Sequence, residues 1–181
     1  PTIPFPIIAI FMSSPFSLLI VVSGVHHCQI FDRIGMEGDC MKKVLITGAA
    51  HGLGLALAHS FKDDELILID KDALALQAVN LDAKKYVCDL ANVDEVSMLL
   101  EKLNEEISDL DVLINNAGEW ISGDLSKMDQ EGFSHMNTLE NIHHVLNTNV
   151  FGSIAMIRGL YQKLENGLII NINSQSGVHV E

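Results

Sequence analysis

A glycine-rich turn between an apolar run and a helical pattern constrains the fold of this chain more than any other feature. Residues 44–46 are all apolar, and glycines follow at positions 48, 52 and 54. Apolar side chains then recur at helical spacing in Leu53, Leu57, Ala58 and Phe61. Glycines let the backbone turn sharply beside a pyrophosphate, and the N–H groups that begin the next helix point at that anion. The pattern therefore predicts a strand, a phosphate-binding turn at Gly48, Gly52 and Gly54, and a helix.

An acidic residue at the end of the next apolar run supports this interpretation. The run over residues 66–69 ends at Asp70, about twenty residues after Gly48, where a carboxylate can accept hydrogen bonds from both hydroxyls of an adenosine ribose. The same charge repels a 2′-phosphate, which favours NAD as the cofactor over NADP. Lys71 and His51 lie near this position and weaken the discrimination, and a solvated loop carboxylate is the plainer alternative for Asp70.

Strand and helix patterns continue to alternate along the chain. We expect a helix over residues 73–79, strands over 86–88, 111–115 and 168–172, and an N-cap at Asn92 with Glu95 three positions later. The buried stripe predicted for the helix after Asn92 is Val93, Val96, Leu99, Leu100, Leu103 and Ile107. A long later helix is marked by Leu146, Val150, Ile154, Ile157, Tyr161 and Leu164. Continuous apolar strands are buried on both faces, which predicts an α/β fold with a Rossmann-type, doubly wound parallel sheet and helices on both faces.

The first 40 residues differ in composition from the rest. Residues 1–31 contain no charged side chain, and prolines interrupt their apolar runs. A membrane span needs roughly 20 continuous apolar residues, and a secretory signal needs a basic segment before its apolar stretch. Neither criterion is met, so unrelated upstream sequence, a membrane anchor and an ordered extension stay open, with membrane association the less favoured. We expect residues 1–40 to contribute little to the fold of a dinucleotide-binding domain over 41–181.

Charge and cysteine usage exclude several classes of function. The chain has 11 Lys and Arg against 24 Asp and Glu, a net charge of −13, so a surface that neutralises nucleic-acid phosphates is not expected. Three cysteines without a Cys-x-x-Cys pair support neither a disulfide framework nor a zinc site, which fits a reducing, cytoplasmic compartment. The His26-His27 and His143-His144 pairs are adjacent and lack the i, i+4 spacing of a helical zinc site. We predict no metal.

Five motifs in order resemble the short-chain dehydrogenase/reductase family. They are Thr47-Gly48-x-x-x-Gly52-x-Gly54, Cys88-Asp89-Leu90, Asn115-Asn116-Ala117-Gly118, Asn149-Val150-Phe151-Gly152 and Ile172-Asn173-Ser174-Gln175-Ser176-Gly177. The resemblance implies a nicotinamide cofactor, an alcohol or carbonyl substrate and, for the full-length form, a homo-oligomer. Its implied cofactor-binding residues are Gly48, His51, Gly52, Leu53, Gly54, Asp70, Asp89, Leu90, Asn116, Ala117 and Gly118. It also implies catalytic roles for Ser174, which binds substrate, and for Asn149, which helps to hold a water and a lysine.

In that family, a Tyr-x-x-x-Lys motif beyond the serine supplies the proton. The given sequence contains no such motif. The two tyrosines, Tyr86 and Tyr161, precede Ser174, and neither has a lysine four positions later. We therefore expect the sequence to be a fragment that binds cofactor but reduces carbonyls slowly or not at all. We also expect the sheet to be incomplete at its C-terminal edge, with the last strand exposed. The alternative is a non-catalytic dinucleotide-binding or interaction module.

Overall fold

The computed structural model describes residues 7–14, 17–23, 41–120, 139–165 and 167–174. Its strands are β1 (Ile7–Ser14), β2 (Ser17–Ser23), β3 (Lys43–Thr47), β4 (Glu65–Asp70), β5 (Ala83–Val87), β6 (Val112–Asn115) and β7 (Leu168–Ser174). Its α-helices are α1 (Gly52–Ser60), α2 (Ala73–Ala78), α3 (Val93–Glu106), α4 (Leu139–Leu146) and α5 (Ser153–Leu160). A π-helical segment, Asn147–Gly152, joins α4 to α5, and a 3₁₀ turn, Tyr161–Leu164, follows α5.

The described strands form one sheet in the order β2-β1-β7-β6-β3-β4-β5. Every neighbouring pair from β1 across to β5 is parallel, and β2 alone runs antiparallel to its neighbour. The prediction of a parallel Rossmann-type sheet is therefore confirmed. The chain leaves β3 for β4 on one side and later returns to β6 on the other. Ligands bind outside the carboxyl ends of the strands at such a reversal, so the fold places a site beyond β3.

Alternate residues of the parallel strands enter two separate cores, one on each face of the sheet. In β3, Leu45 packs into the core that holds α3 and α5, whereas Val44 and Ile46 pack into the core that holds α1 and α2. All three side chains are fully buried. This double burial is why the strands are continuous apolar runs, and it confirms the prediction of helices on both faces.

Helix α3 begins where the sequence predicts, but its buried face is narrower. The Asn92 Oδ1 accepts hydrogen bonds from the backbone N–H groups of Asp94 and Glu95, at 3.1 and 3.3 Å. Val96, Leu99 and Leu103 are buried in the core. Val93, however, is 71% exposed. The inclusion of Val93, the first residue of α3, in the buried stripe was therefore wrong.

The long helical region is confirmed, but most of the apolar residues that mark it in the sequence face outward. Leu146, Val150, Ile154 and Tyr161 are all exposed. The buried positions are spaced four residues apart, and the sequence analysis named only the last of them as a marker of the helix: Thr148, Gly152, Met156, Leu160 and Leu164. Gly152 belongs to this series because its backbone lies against Leu90, where an added Cβ would be 2.9 Å from the Leu90 Cβ.

The edge of β7 is covered rather than exposed. Strand β1 pairs with it in parallel from Ile7↔Ile169 to Met12↔Ser174, and β2 then covers the far side of β1. The expectation of an open strand at this edge is therefore wrong. Residues 7–14 therefore add a strand to the edge of β7, while the expectation that residues 1–40 contribute little to the fold of the rest stays a prediction.

This pairing predicts that a proline inside β1 destabilises the protein. Ile10 pairs with Ile20 on one side and with Ile172 on the other. Ile10→Pro removes a ladder donor from a strand with neighbours on both sides, where proline is not tolerated. With a net cost of about 1–3 kcal/mol, we expect the melting temperature to fall by roughly 3–10 °C, and Ile10→Val serves as the control. An unchanged melting temperature for Ile10→Pro would show that β1 does not join the sheet in solution.

None of the helices in the described ranges has the length and hydropathy needed to cross a bilayer.

Candidate functional site

A cleft of about 330 Å³ opens beyond the carboxyl ends of β3, β4 and β6. The structure brings most of the predicted cofactor-binding residues together on its wall. These are Gly48, His51, Gly52, Asp70, Asp89, Leu90, Asn116, Ala117 and Gly118. The wall also contains residues that the sequence analysis did not select for this role: Ile69, Lys71, Cys88, Glu119 and Thr148. Two predicted members, Leu53 and Gly54, do not line it.

The turn between β3 and α1 depends on glycine at two positions on the cleft wall. Gly48 and Gly52 have φ angles of +64° and +50°, in the left-handed region that side chains disfavour. At Gly48 an added Cβ would lie 2.8 Å from the Ala117 Cα, so the two backbones meet directly. At Gly52 an added Cβ would meet nothing within 4 Å, because this residue begins α1 facing open space. The turn therefore presents backbone and the start of a helix to the cleft.

Gly54 has a different role from the other two glycines. An added Cβ would lie 2.0 Å from the Gly48 carbonyl oxygen and 2.6 Å from the Asn116 Nδ2. Gly54 therefore lies behind the turn, where it lets α1 pack against β3, rather than beside a bound phosphate. Leu53, at the start of the same helix, is partly exposed outside the cleft.

Asp70 is nearly buried at the end of β4, and both of its carboxylate oxygens have backbone partners. Oδ2 accepts the N–H of Ala50 at 2.8 Å, and Oδ1 accepts the N–H of Asp72 at 3.0 Å. The alternative of a solvated loop carboxylate is wrong. Each carboxylate oxygen has more than one lone-pair site, so Asp70 can hold the turn and still accept a ligand hydroxyl.

The two cleft walls are joined by a hydrogen-bond network around Thr47. Its Oγ1 accepts the backbone N–H groups of Asn116 and Ala117, at 3.1 and 3.0 Å. The Asn116 Nδ2 in turn donates to the carbonyl oxygens of Thr47 and Gly48, at 3.0 and 3.1 Å. The segment after β6 is thereby fixed to the glycine turn after β3.

Thr148 is a buried polar residue that the sequence analysis missed. It is 6% exposed, it lines the cleft, and its Oγ1 has no hydrogen-bond partner within the described part of the chain. A buried hydroxyl without a partner costs about 1–3 kcal/mol, so a ligand group that reaches it is stabilised. The sequence signal for the burial of Thr148 is its spacing of four residues from Gly152, which places both residues on the same face of the helical region.

The thiol on the cleft wall is buried, in surroundings that disfavour the thiolate. Cys88 is 2% exposed, and burial, followed by the nearby charges of Glu95 and Asp89, raises the pKa of its thiol to about 12. Because the thiolate is the nucleophilic form, Cys88 serves as an apolar packing group beneath the cleft.

Each basic residue near Asp70 has an acidic partner. The His51 Nε2 lies 3.2 Å from the Asp72 Oδ2. The pKa of the Asp72 carboxyl lies below its ordinary value. The main cause is the hydrogen bond that it accepts from the Ala75 N–H, and the second is its hydrogen bond with His51. The Lys71 ammonium contacts the Glu119 Oε1, and the Glu119 Oε2 lies 2.8 Å from the His144 Nε2.

The two predicted catalytic residues have different settings. The Asn149 side chain makes two hydrogen bonds with the backbone of Glu119. Its Oδ1 accepts the Glu119 N–H at 2.7 Å, and its Nδ2 donates to the Glu119 carbonyl at 2.8 Å. Ser174 ends β7 in register with Met12, but its side chain lies outside the described part of the chain. A second cavity, of about 730 Å³, adjoins the cleft at Gly118 and Glu119. Its wall includes Asn115, Trp120, Asn149, Asn171 and Asn173.

Within the described ranges, no group of three or more His, Cys, Asp or Glu side chains is arranged to hold a metal ion.

Comparison with known proteins places this geometry in context. The family model described as short chain dehydrogenase matches residues 42–181. The chain is 33% identical over 144 residues to 3-oxoacyl-(acyl-carrier-protein) reductase FabG of Haemophilus influenzae, covering 75% of this chain and 56% of that protein. It is 31% identical over 138 residues to 3-ketodihydrosphingosine reductase of Bacteroides thetaiotaomicron, covering 75% and 48%. The chain thus spans about half the length of these relatives.

Solved structures show the same fold. A short-chain dehydrogenase from Streptomyces avermitilis superposes with a TM-score of 0.65 at 23% identity, over 78% of this chain and 52% of the other. A metagenomic short-chain oxidoreductase, solved in complex with NADP, superposes with a TM-score of 0.61 at 24% identity, over 73% and 61%.

Proposed function

The chain belongs to the short-chain dehydrogenase family, and from that premise we propose that its cleft binds a nicotinamide dinucleotide, NAD in preference to NADP, for hydride transfer with an alcohol or carbonyl substrate. The observation that carries this proposal is the convergence of the glycine turn and Asp70 on one cleft. The turn offers close backbone approach and the positive end of α1, which suit a diphosphate. Asp70 offers a fixed acceptor, which suits the ribose hydroxyls.

The residues of the cleft fit such a cofactor in two further respects. Gly52 leaves open the space that a side chain would fill, and the buried Thr148 hydroxyl has no hydrogen-bond partner among the described residues. When bound, the nicotinamide accepts or supplies a hydride. The residues described here bind and orient: the glycine turn holds the diphosphate, Asp70 the adenosine ribose, and Thr148 a polar group inside the cleft.

The second cavity is our candidate for the substrate site. It adjoins the cleft at Gly118, and its wall combines asparagine side chains with apolar groups such as Ile154 and Ile157. Amides can hydrogen-bond an alcohol or a carbonyl, while apolar walls cover the rest of a small organic molecule. We assign Ser174, by the family resemblance, to hydrogen-bond the reacting oxygen. Asn149 positions the segment that separates the two cavities.

Placing a negative charge at Gly52 tests the proposed diphosphate site. Gly52→Asp fits the open space, and Asp and Asn are the side chains that best tolerate a positive φ. A carboxylate there opposes a bound diphosphate, so we expect the NADH dissociation constant, measured by calorimetry, to rise about 10- to 100-fold. Gly52→Asn has the same shape without the charge and should stay within about threefold of the unaltered chain. Equal affinities for the Asp and Asn variants would contradict a diphosphate at this turn.

The cofactor preference gives a separate prediction. A 2′-phosphate brought beside Asp70 meets a buried negative charge. We therefore expect the unaltered chain to bind NADH at least tenfold more tightly than NADPH at matched, moderate ionic strength. Calorimetric titrations with both cofactors measure the ratio, and equal affinities would remove Asp70 as the basis of the preference.

A further inference from the structure

Lys71 is the one residue with a permanent positive charge on the described wall of the cleft. The same wall has the acidic residues Asp70, Asp89 and Glu119. Lys71 directly follows Asp70, at the end of the cleft assigned above to the adenosine ribose. A lysine in this place is the group that would attract an additional phosphate on the ribose.

The Lys71 ammonium forms an ion pair with the Glu119 carboxylate. One oxygen of the Glu119 carboxylate contacts the Lys71 Nζ, and the other lies 2.8 Å from the His144 Nε2 on α4. Asn149 holds the backbone of Glu119 through two hydrogen bonds of 2.7 and 2.8 Å. The Glu119 side chain is 19% exposed, whereas that of Lys71 is 51% exposed. The carboxylate is therefore fixed from two other places in the fold, and the more exposed lysine pairs with it.

We propose that Glu119 is a positioning residue that sets cofactor specificity by holding Lys71 away from the ribose end of the cleft. This inference rests on the proposed function and deepens it, because it says why a lysine beside Asp70 does not make the site suitable for NADP. With Lys71 paired, a 2′-phosphate meets the charge of Asp70 without a compensating cation. With Lys71 released, the same phosphate gains a charge-assisted hydrogen bond.

The test compares NADH and NADPH affinities, by calorimetry, in the unaltered chain, in Glu119→Gln and in the double variant Glu119→Gln with Lys71→Gln. Glu119→Gln preserves the shape of the side chain and removes its charge. We expect it to tighten NADPH binding about tenfold and to change NADH binding less than about threefold. The double variant should lose the NADPH gain, because the gain comes from Lys71.

The outcomes separate this inference from the proposed function. If the unaltered chain binds neither cofactor, both fail. If it binds NADH but Glu119→Gln leaves the ratio of the two affinities within twofold, the inference alone is overturned. It is also overturned if the NADPH gain persists in the double variant, since the effect would then be general loss of negative charge.

A measurement on the unaltered chain keeps the inference testable if Glu119→Gln does not fold. Lysine amines compete for a limiting amount of acetic anhydride, and mass spectrometry reports the extent of labelling at each position. Lys62 is exposed and has no ion-pair partner among the residues that the structure describes, so it provides the reference. We expect Lys71 to label severalfold more slowly than Lys62. Equal labelling would show that Glu119 does not hold Lys71.

Discussion

Replacing Gly54 by alanine is expected to disrupt the strand–turn–helix unit on which the cleft depends. The new Cβ would lie 2.0 Å from the Gly48 carbonyl oxygen and 2.8 Å from the Gly48 carbonyl carbon. These are backbone atoms of the turn, so no side chain can rotate away, and the start of α1 or the turn itself must move. We expect a loss of about 3 kcal/mol or more in the free energy of unfolding, together with loss of NADH binding.

Gly52→Ala is the matched control for this variant. Gly52 lies two residues earlier in the same helix, and an added Cβ meets nothing within 4 Å. Its cost is the left-handed backbone alone, roughly 1–2 kcal/mol. Urea unfolding of both variants measures the difference. If Gly54→Ala is as stable as Gly52→Ala, then α1 does not pack on the turn as closely as the structure shows.

Replacing Thr47 by valine is expected to have the second large effect. Thr47 is fully buried, and its Oγ1 accepts the backbone N–H groups of Asn116 and Ala117. Valine has nearly the same shape but no acceptor, so Thr47→Val leaves two partly buried donors without this partner. At about 1–3 kcal/mol for each unsatisfied group, we expect a loss of roughly 2–5 kcal/mol in the free energy of unfolding. NADH affinity should also fall, because Asn116 and Ala117 line the cleft.

Thr47→Ser separates the hydroxyl from the methyl group at this position. Serine keeps the acceptor and loses one buried methyl, which costs about 1 kcal/mol. The serine variant should therefore keep most of the stability and the NADH affinity of the unaltered chain. If Thr47→Val is no less stable than Thr47→Ser, the hydroxyl does not connect the two walls of the cleft.

Local signals in the sequence determined the elements of the sheet and much of the cleft wall. The apolar runs of β3 and β4 are buried on both faces of the sheet. This burial explains why residues 66–69 of β4 are all apolar and why the first polar side chain after them is Asp70, at the end of the strand. The cap at Asn92 was equally predictable, since its hydrogen bonds join residues two and three positions apart. Gly48 and Gly52 follow from the sharp turn that must connect a buried strand to a helix.

Only the tertiary structure decided which face each helix buries, what Gly54 contacts and what covers the edge of β7. These depend on contacts between segments that lie far apart in the chain, so a local period of apolar residues cannot specify them. The outward face of the helix around Val150 is as apolar in the sequence as a buried one. Glu119 likewise has no local motif, because its role depends on Lys71 and His144, which the tertiary structure brings to it from the residue after β4 and from α4.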